Sequence, residues 1–309
     1  MARRRRSGRR VDGWLVVDKP LGLSSSAVVN KLRWALQAQK AGHSGTLDPL
    51  ATGCLAIAFG EATKTVPVAQ EGDKRYHFTV RWGAETETDD LEGAVTTRSE
   101  RRPELAEIEA VLPVFRGEIA QIPPAFSAVK LDGARAYALA RRGVEPALEA
   151  RPIQVERLEV MEHYSDEAVF EMTCGKGGYV RSIARDLGRA LGCYGHVSTL
   201  RRLATGPFDL TRSIAFDGVD ALRERPLPPE LLPLEAGLHG LTRIDCDAEA
   251  ARHLRHGRAI PASLAVAGQC WAAMNGQAVA LGQVRDGIFH PDRVFAAPEE
   301  TADLTVPGA

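Results

Sequence analysis

The stretch AVFEMTCGKGGYVRSIARDLGRALG, residues 168–192, decides the fold. It reads as a strand, a glycine turn and a helix, an order of elements that also opens nucleotide-binding folds. Its glycines lack the G-x-G-x-x-G spacing, and no G-x-x-x-x-G-K-[ST] occurs in the chain. A tight turn leading into a helix is the plainer reading. The strands around it are too irregularly interleaved with helices for a doubly wound sheet, so the pattern predicts an α+β fold.

Working outward, GWLVVDKP at 13–20 predicts a buried strand ending in a Pro turn. Ser24, Ser25 and Ser26 offer N-caps to an amphipathic helix running to about Lys40. CLAIAFG at 54–60 predicts another buried strand, and KRYHFTVRW at 74–82 alternates with Tyr76, Phe78, Val80 and Trp82 on one face. ELAEIEAVLPVF at 104–115 predicts a helix interrupted by Pro113. The segment 122–143 reads as an extended excursion followed by a helix, and 196–208 as a strand pair. RERPLPPELLPLEAGLHG at 223–240 is Pro-rich and marks a boundary. Beyond it, glycines at 257, 268, 276, 282 and 287 break short apolar segments, as in a small β-rich module.

Composition excludes several classes. With 44% hydrophobic and 26% charged residues over 309 positions, the chain is that of a globular protein with a sizeable core. Its longest apolar runs, such as LAIAF at 55–59, are too short to span a membrane. No secretory h-region follows the N-terminus, which predicts a cytoplasmic location. Five cysteines without a C-x-x-C pair fit neither a disulfide framework nor a zinc site, and are expected to be reduced. His253 and His256 are expected on an exposed helix face, so no metal site is predicted.

Charge is near neutral overall, at −1, but segregated. Six arginines fall in the first ten residues, MARRRRSGRR, and residues 1–11 are expected to form a disordered tail. Residues 175–213 carry seven basic residues against two acidic ones, while AETETDDLEG at 84–93 is strongly acidic. Such segregation suggests a surface for a polyanion. Arg181, Arg185 and Arg189 share one helix face at i, i+4 and i+8. That stripe is either solvated or, behind its glycine turn, a phosphate contact.

AGHSGTLDPLATGCL at 41–55 poses a similar choice. Asp48 followed by Pro49 is a common helix start, with Asp as N-cap. Yet Gly53 allows at most one helical turn, and Gly42 and Gly45 around His43 suit a backbone lying close to a ligand. Local rules favour the cap and leave the reactive loop open.

Taken together, DKP at 18–20, GHSGTLDPLATG at 42–53, GEATK at 60–64, DKRYHF at 73–78, GKGGYVRSIARDLG at 175–188 and STLRR at 198–202 closely resemble the TruB family of bacterial tRNA pseudouridine synthases. The resemblance runs from about residue 12 to the end of the C-terminal module. It implies that Asp48 is the nucleophile, that Tyr76 stacks on the target base and assists proton removal, and that Arg181 pairs with the catalytic carboxylate. It implies that His43 helps hold the RNA with its target nucleotide extruded, and that Tyr179 and Leu200 contact that nucleotide. Lys19, Pro20 and Lys64 match supporting positions. The implied architecture is a pseudouridine synthase core over residues 12–240, with a mixed, mainly antiparallel sheet flanked by helices. An RNA-gripping insertion near 124–150 and a PUA-like β-barrel at 241–309 complete it. The resemblance further implies action on the tRNA T-stem-loop with no guide RNA and no cofactor, and a sequence without a coiled-coil or interface pattern predicts a monomer.

The residue types suit that chemistry. Isomerising uridine breaks its N1–C1′ bond, turns the base and rejoins it through C5, so nothing is oxidised and no group is carried in or out. A shielded carboxylate is best matched by a guanidinium, which stays charged at any working pH. Extruding the nucleotide costs a few kcal/mol, offset by stacking on an aromatic side chain. The competing class is an RNA-binding folding factor, which has no need of a carboxylate beside RNA phosphates.

Overall fold

Ten strands form one sheet through the larger part of the molecule. The computed structural model describes residues 8–127, 129–131, 134–136, 147–224, 226–263 and 265–297. The first seven residues of the arginine-rich tail and most of the helix expected before residue 143 lie outside these.

The strands of the large sheet are β1 (Gly13–Lys19), β2 (Ala41–His43), β3 (Ala51–Phe59), β4 (Lys74–Trp82), β5 (Gly117–Gln121), β6 (Arg151–His163), β7 (Glu167–Cys174), β8 (Gly195–Thr205), β9 (Phe208–Asp209) and β10 (Ser213–Ala215). They are ordered β10-β1-β3-β8-β4-β7-β6-β5, with β2 on β3 and β9 on β8. Two contacts, β1–β10 and β3–β8, are parallel and the others antiparallel, so the sheet is mixed and mainly antiparallel as expected. The strand pair expected at 196–208 is one eleven-residue strand with a two-residue return.

Helices cover one face. Helix α1 (Ser25–Ala35) starts where Ser24 accepts a hydrogen bond from the Ala27 N–H, and its Val28, Val29 and Leu32 pack on Leu55, Ile57 and Phe59. It stops before Lys40 because Gln37 turns into the left-handed region, at φ 50°, and Ala38 bridges to Arg9. Within the tail expected over 1–11, Arg9 and Val11 are ordered: the Arg9 N–H donates to Gln37 O, its Nε donates to Leu36 O, and Val11 is buried. Helix α2 (Leu105–Val111) ends in the 3₁₀ turn that carries Pro113.

Helix α3 (Val180–Ala190) places Val180, Ile183, Ala184 and Leu187 at i, i+3, i+4 and i+7, an apolar stripe in the core with Phe78, Val80 and Phe170. Gly192 at φ +66° ends it, a conformation that favours glycine after a helix.

The C-terminal module is a second sheet of β11 (Thr242–Asp245), β12 (Ile260–Pro261), β13 (Gly268–Met274), β14 (Gln277–Arg285) and β15 (Ile288–Val294), in the order β11-β13-β14-β15-β12. It forms a half-barrel. Helix α4 (Ala248–Arg255) packs Ala251 and Leu254 into this module's own core, leaving His253 exposed. Trp271, Leu281 and Phe295 meet Val68 and Leu238, so an apolar seam joins the module to the larger part. Cys54, Cys174, Cys193 and Cys270 are buried, Cys246 partly so, and all five are free thiols.

Candidate active site

Asp48 is aimed by the loop between β2 and β3. Ser44 N–H donates to Ala56 O, and Ser25 Oγ holds both the N–H and the C=O of Leu47. Asp48 and Pro49 then open a β-turn, closed by Ala51 N–H to Asp48 O at 3.1 Å. Asp at the first and Pro at the second position of a turn is a stable pairing. The Asp-Pro pair thus starts a turn rather than a helix, and β3 leaves it directly. Beneath the turn the buried Lys19 ammonium donates to Pro20 O, Leu23 O and Pro49 O. Burial pushes Lys19 down to about 8, against the opposing pull of the Asp48 charge. Pro20 contributes through that carbonyl.

Arg181, in the first turn of α3, faces this loop. Its Nη2 lies 2.8 Å from Asp48 Oδ2, with the guanidinium almost wholly buried and the carboxylate about one third exposed. Thr88 O and Phe126 O accept two more of its bonds, and Asp90 Oδ2 stands 3.6 Å away. The rest of the stripe is equally engaged. Arg185 is buried against Asp89, Asp186 and Ile122 O, and Arg189 forks onto Glu85. The acidic run at 84–90 and the arginine stripe therefore neutralise one another. Of the two readings left open for the stripe, neither describes Arg181 and Arg185, which are buried against carboxylates and carbonyls, while Arg189 is paired with Glu85 and half exposed.

A cavity of about 520 Å³ opens beside the ion pair, lined by Asp48, Lys74, Tyr76, Tyr179, Arg181, Leu200 and Arg202, among others. Adjacent strands bring these residues together: Tyr76 on β4 is opposite Arg202 on β8, and Leu200 is opposite both Phe78 and Ala51. Burial pushes the Tyr76 hydroxyl up to about 12, with the Arg202 charge opposing, so it is a neutral phenol at neutral pH. Burial also raises the Tyr179 phenol, and Gln121 clamps the Tyr179 backbone, its amide bonding both N–H and C=O. His43 ends β2 next to the cavity. Its Nδ1 accepts from the Gly45 N–H, so the ring proton of the neutral form sits on Nε2. Burial, then the Arg202 charge, lowers its pKa.

Lys64 is not brought here. Its ammonium pairs with Glu61 and donates to Val294 O, tying the C-terminal module to the larger part. Conversely, Arg202, Asp90 and Lys74 belong to the site and were not singled out by sequence. Arg202 stands in STLRR beside Leu200, where periodicity marks core, and Asp90 lies in a run that reads as a solvated acidic surface. The available signal was complementarity: an acidic stretch and a basic helical stripe, each too dense to be left unpaired.

The larger part has the fold of the pseudouridine synthases. It superposes on the protein of an H/ACA RNP bound to a substrate RNA containing 2′-deoxyuridine, with a TM-score of 0.71 at 24% identity over 92% of this chain and 85% of that one. A Cbf5-Nop10-Gar1 complex gives 0.70 at 26% identity, with the same coverage. Residues 33–180 match the TruB family pseudouridylate synthase N-terminal domain, and residues 181–239 match the tRNA pseudouridylate synthase B C-terminal domain. The chain belongs to the TruB family of pseudouridine synthases, which are isomerases. Among its relatives, tRNA pseudouridine synthase B of Ruegeria pomeroyi is 54% identical, covering 96% of this chain and 99% of that protein. The enzyme of the same name from Dinoroseobacter shibae is 55% identical, covering 94% and 98%.

Proposed function

We propose that this protein isomerises the T-loop uridine of tRNA, at position 55 in tRNA numbering, to pseudouridine. The observation that carries the reading is the Asp48–Arg181 pair at 2.8 Å beside a cavity that Tyr76 and Leu200 line. That tRNA is the substrate is supported by relatives named tRNA pseudouridine synthase B that align over nearly their whole length. The target nucleotide leaves its stack to enter the cavity, where the Tyr76 ring and Leu200 receive its base. Asp48 acts as the nucleophile, with Arg181 as its counter-charge. The N1–C1′ bond breaks, the base turns, C5 bonds to C1′, and the C5 proton is lost while N1 gains one. His43 holds the displaced RNA through its Nε2–H. The insertion expected near 124–150 lies largely outside the described residues; together with the C-terminal module, proposed as PUA-like, it grips the tRNA. The enzyme acts as a monomer without guide RNA.

The test is a T-stem-loop RNA carrying tritium at uridine C5, whose release reports isomerisation. Wild type releases tritium, whereas Asp48→Asn binds the RNA and releases none above background. Undiminished release by that variant removes Asp48 from the chemistry. Arg181→Lys turns over at least ~100-fold more slowly, because an ammonium cannot reproduce the fork that meets Asp48, Thr88 O and Phe126 O together. Near-normal turnover would rule out the pairing role.

A further inference from the structure

The Arg202 side chain is only 1% exposed, yet it lines the cavity. Among the described residues no carboxylate lies within 4.0 Å of its guanidinium. Its closest bonds go to backbone: Nε to Cys54 O at 2.8 Å, Nη2 to Gly45 O at 3.2 Å and Nη1 to Thr46 O at 3.4 Å, with the Tyr76 hydroxyl as a further side-chain partner. These carbonyls stand on both sides of Asp48, two before it in the loop and one after it in β3. The β3 backbone comes close enough that a Cβ on Gly53, at φ +97°, would lie 2.2 Å from Arg202 O. One buried side chain therefore spans both arms of the segment that presents the carboxylate.

We propose that Arg202 is the positioning residue of the Asp48 loop, its planar fork setting the distance between the 45–46 backbone and β3 and so the aim of Asp48 into the cavity. The other fastenings leave this task open. Ser44 N–H is held by Ala56 O, Leu47 by Ser25 and Pro49 O by Lys19, which fasten the turn at Asp48 itself, while the carbonyls of residues 45 and 46, on which the approach to that turn depends, go to Arg202. A lysine keeps the charge but carries its donors on one nitrogen, so it cannot reproduce the planar spread of three nitrogens that meets the carbonyls of residues 45, 46 and 54. Displacing a reacting group by about 1 Å costs on the order of 100-fold in rate.

The proposal rests on the isomerase reading, and the experiment separates the two. Single-turnover tritium release and equilibrium binding of the T-stem-loop are measured for wild type, Arg202→Lys, Arg202→Gln and, as the blank, Asp48→Asn. We expect both Arg202 variants to melt cooperatively, to bind the RNA within about threefold of wild type, and to lose on the order of 100-fold in rate. Arg202→Lys within threefold of the wild-type rate overturns the proposal, and so does a rate loss matched by an equal loss of affinity. No release by wild type overturns the isomerase reading instead. Should neither variant fold, Nε–H exchange in wild-type protein labelled at arginine decides. Exchange much slower at Arg202 than at exposed Arg33 supports the bridge, and equal exchange removes it.

Discussion

Tyr76 reaches the cavity as a neutral phenol, its pKa pushed up to about 12 by burial. Its ring is therefore the larger contribution and its hydroxyl the smaller. Tyr76→Phe is expected to keep single-turnover tritium release within about tenfold of wild type. Tyr76→Leu is expected to lose stacking of ~1–3 kcal/mol, about 5- to 150-fold. A Phe variant as impaired as the Leu variant would show that the hydroxyl carries the chemistry. At this scale the sequence was legible unevenly. Asp48, Arg181, Tyr76 and Leu200 could be placed by resemblance, and all four line one cavity. Arg202 could not, because a charged residue within a strand of mixed polarity gives no sign of which carbonyls it meets across 148 residues of chain.

Lys19 shows what the ends of elements contribute. It closes β1 with its ammonium enclosed by three carbonyls, one of them in the Asp48–Pro49 turn. Its folded pKa, about 8, lies below the ordinary value of 10.5, so between those pH values the unfolded chain binds more protons. Stability attributable to this group therefore rises as pH goes from 8 to 10.5, by a few kcal/mol at most, on the order of 3. Denaturant unfolding of wild type and Lys19→Met across that window checks the sign: the difference between them should change by this rise, and a flat difference contradicts it. The elements themselves were largely legible. Alternation marked the bounds of β4, and the order of strand, glycine turn and helix marked α3. Charge left the stripe undecided between solvent and phosphate, because the partners of Arg185 and Arg189 lie about a hundred residues away in the acidic run. No local pattern distinguishes a stripe awaiting phosphate from one already met by carboxylates.

At the scale of the molecule, the two sheets are joined by an apolar seam and by a small polar lock. Glu61 Oε2 accepts from both Lys64 Nζ and Ala296 N–H, and Lys64 also reaches Val294 O. Hydrogen bonds to charged groups are worth ~1.5–3 kcal/mol each. Glu61→Gln is expected to loosen the C-terminal module and raise the rate of proteolytic cleavage across 226–241 several-fold, with the melting of the larger part little changed. Cleavage no faster than in wild type would mean that the seam alone holds the module. This lock was not readable in the sequence, since Lys64 lies in a motif that resemblance ties to the catalytic centre.

The position of β8 has a consequence for how the chain matures. It lies between β3 and β4, which precede it by well over a hundred residues, and it joins β3 in parallel. Until residues 195–205 have been synthesised, those two earlier strands have no common neighbour, and each presents an unpaired edge. Contacts of such long sequence separation form slowly and late. Catalytic competence is therefore among the last properties a nascent chain acquires, and the same edges are where an incomplete chain is most exposed to pairing with another.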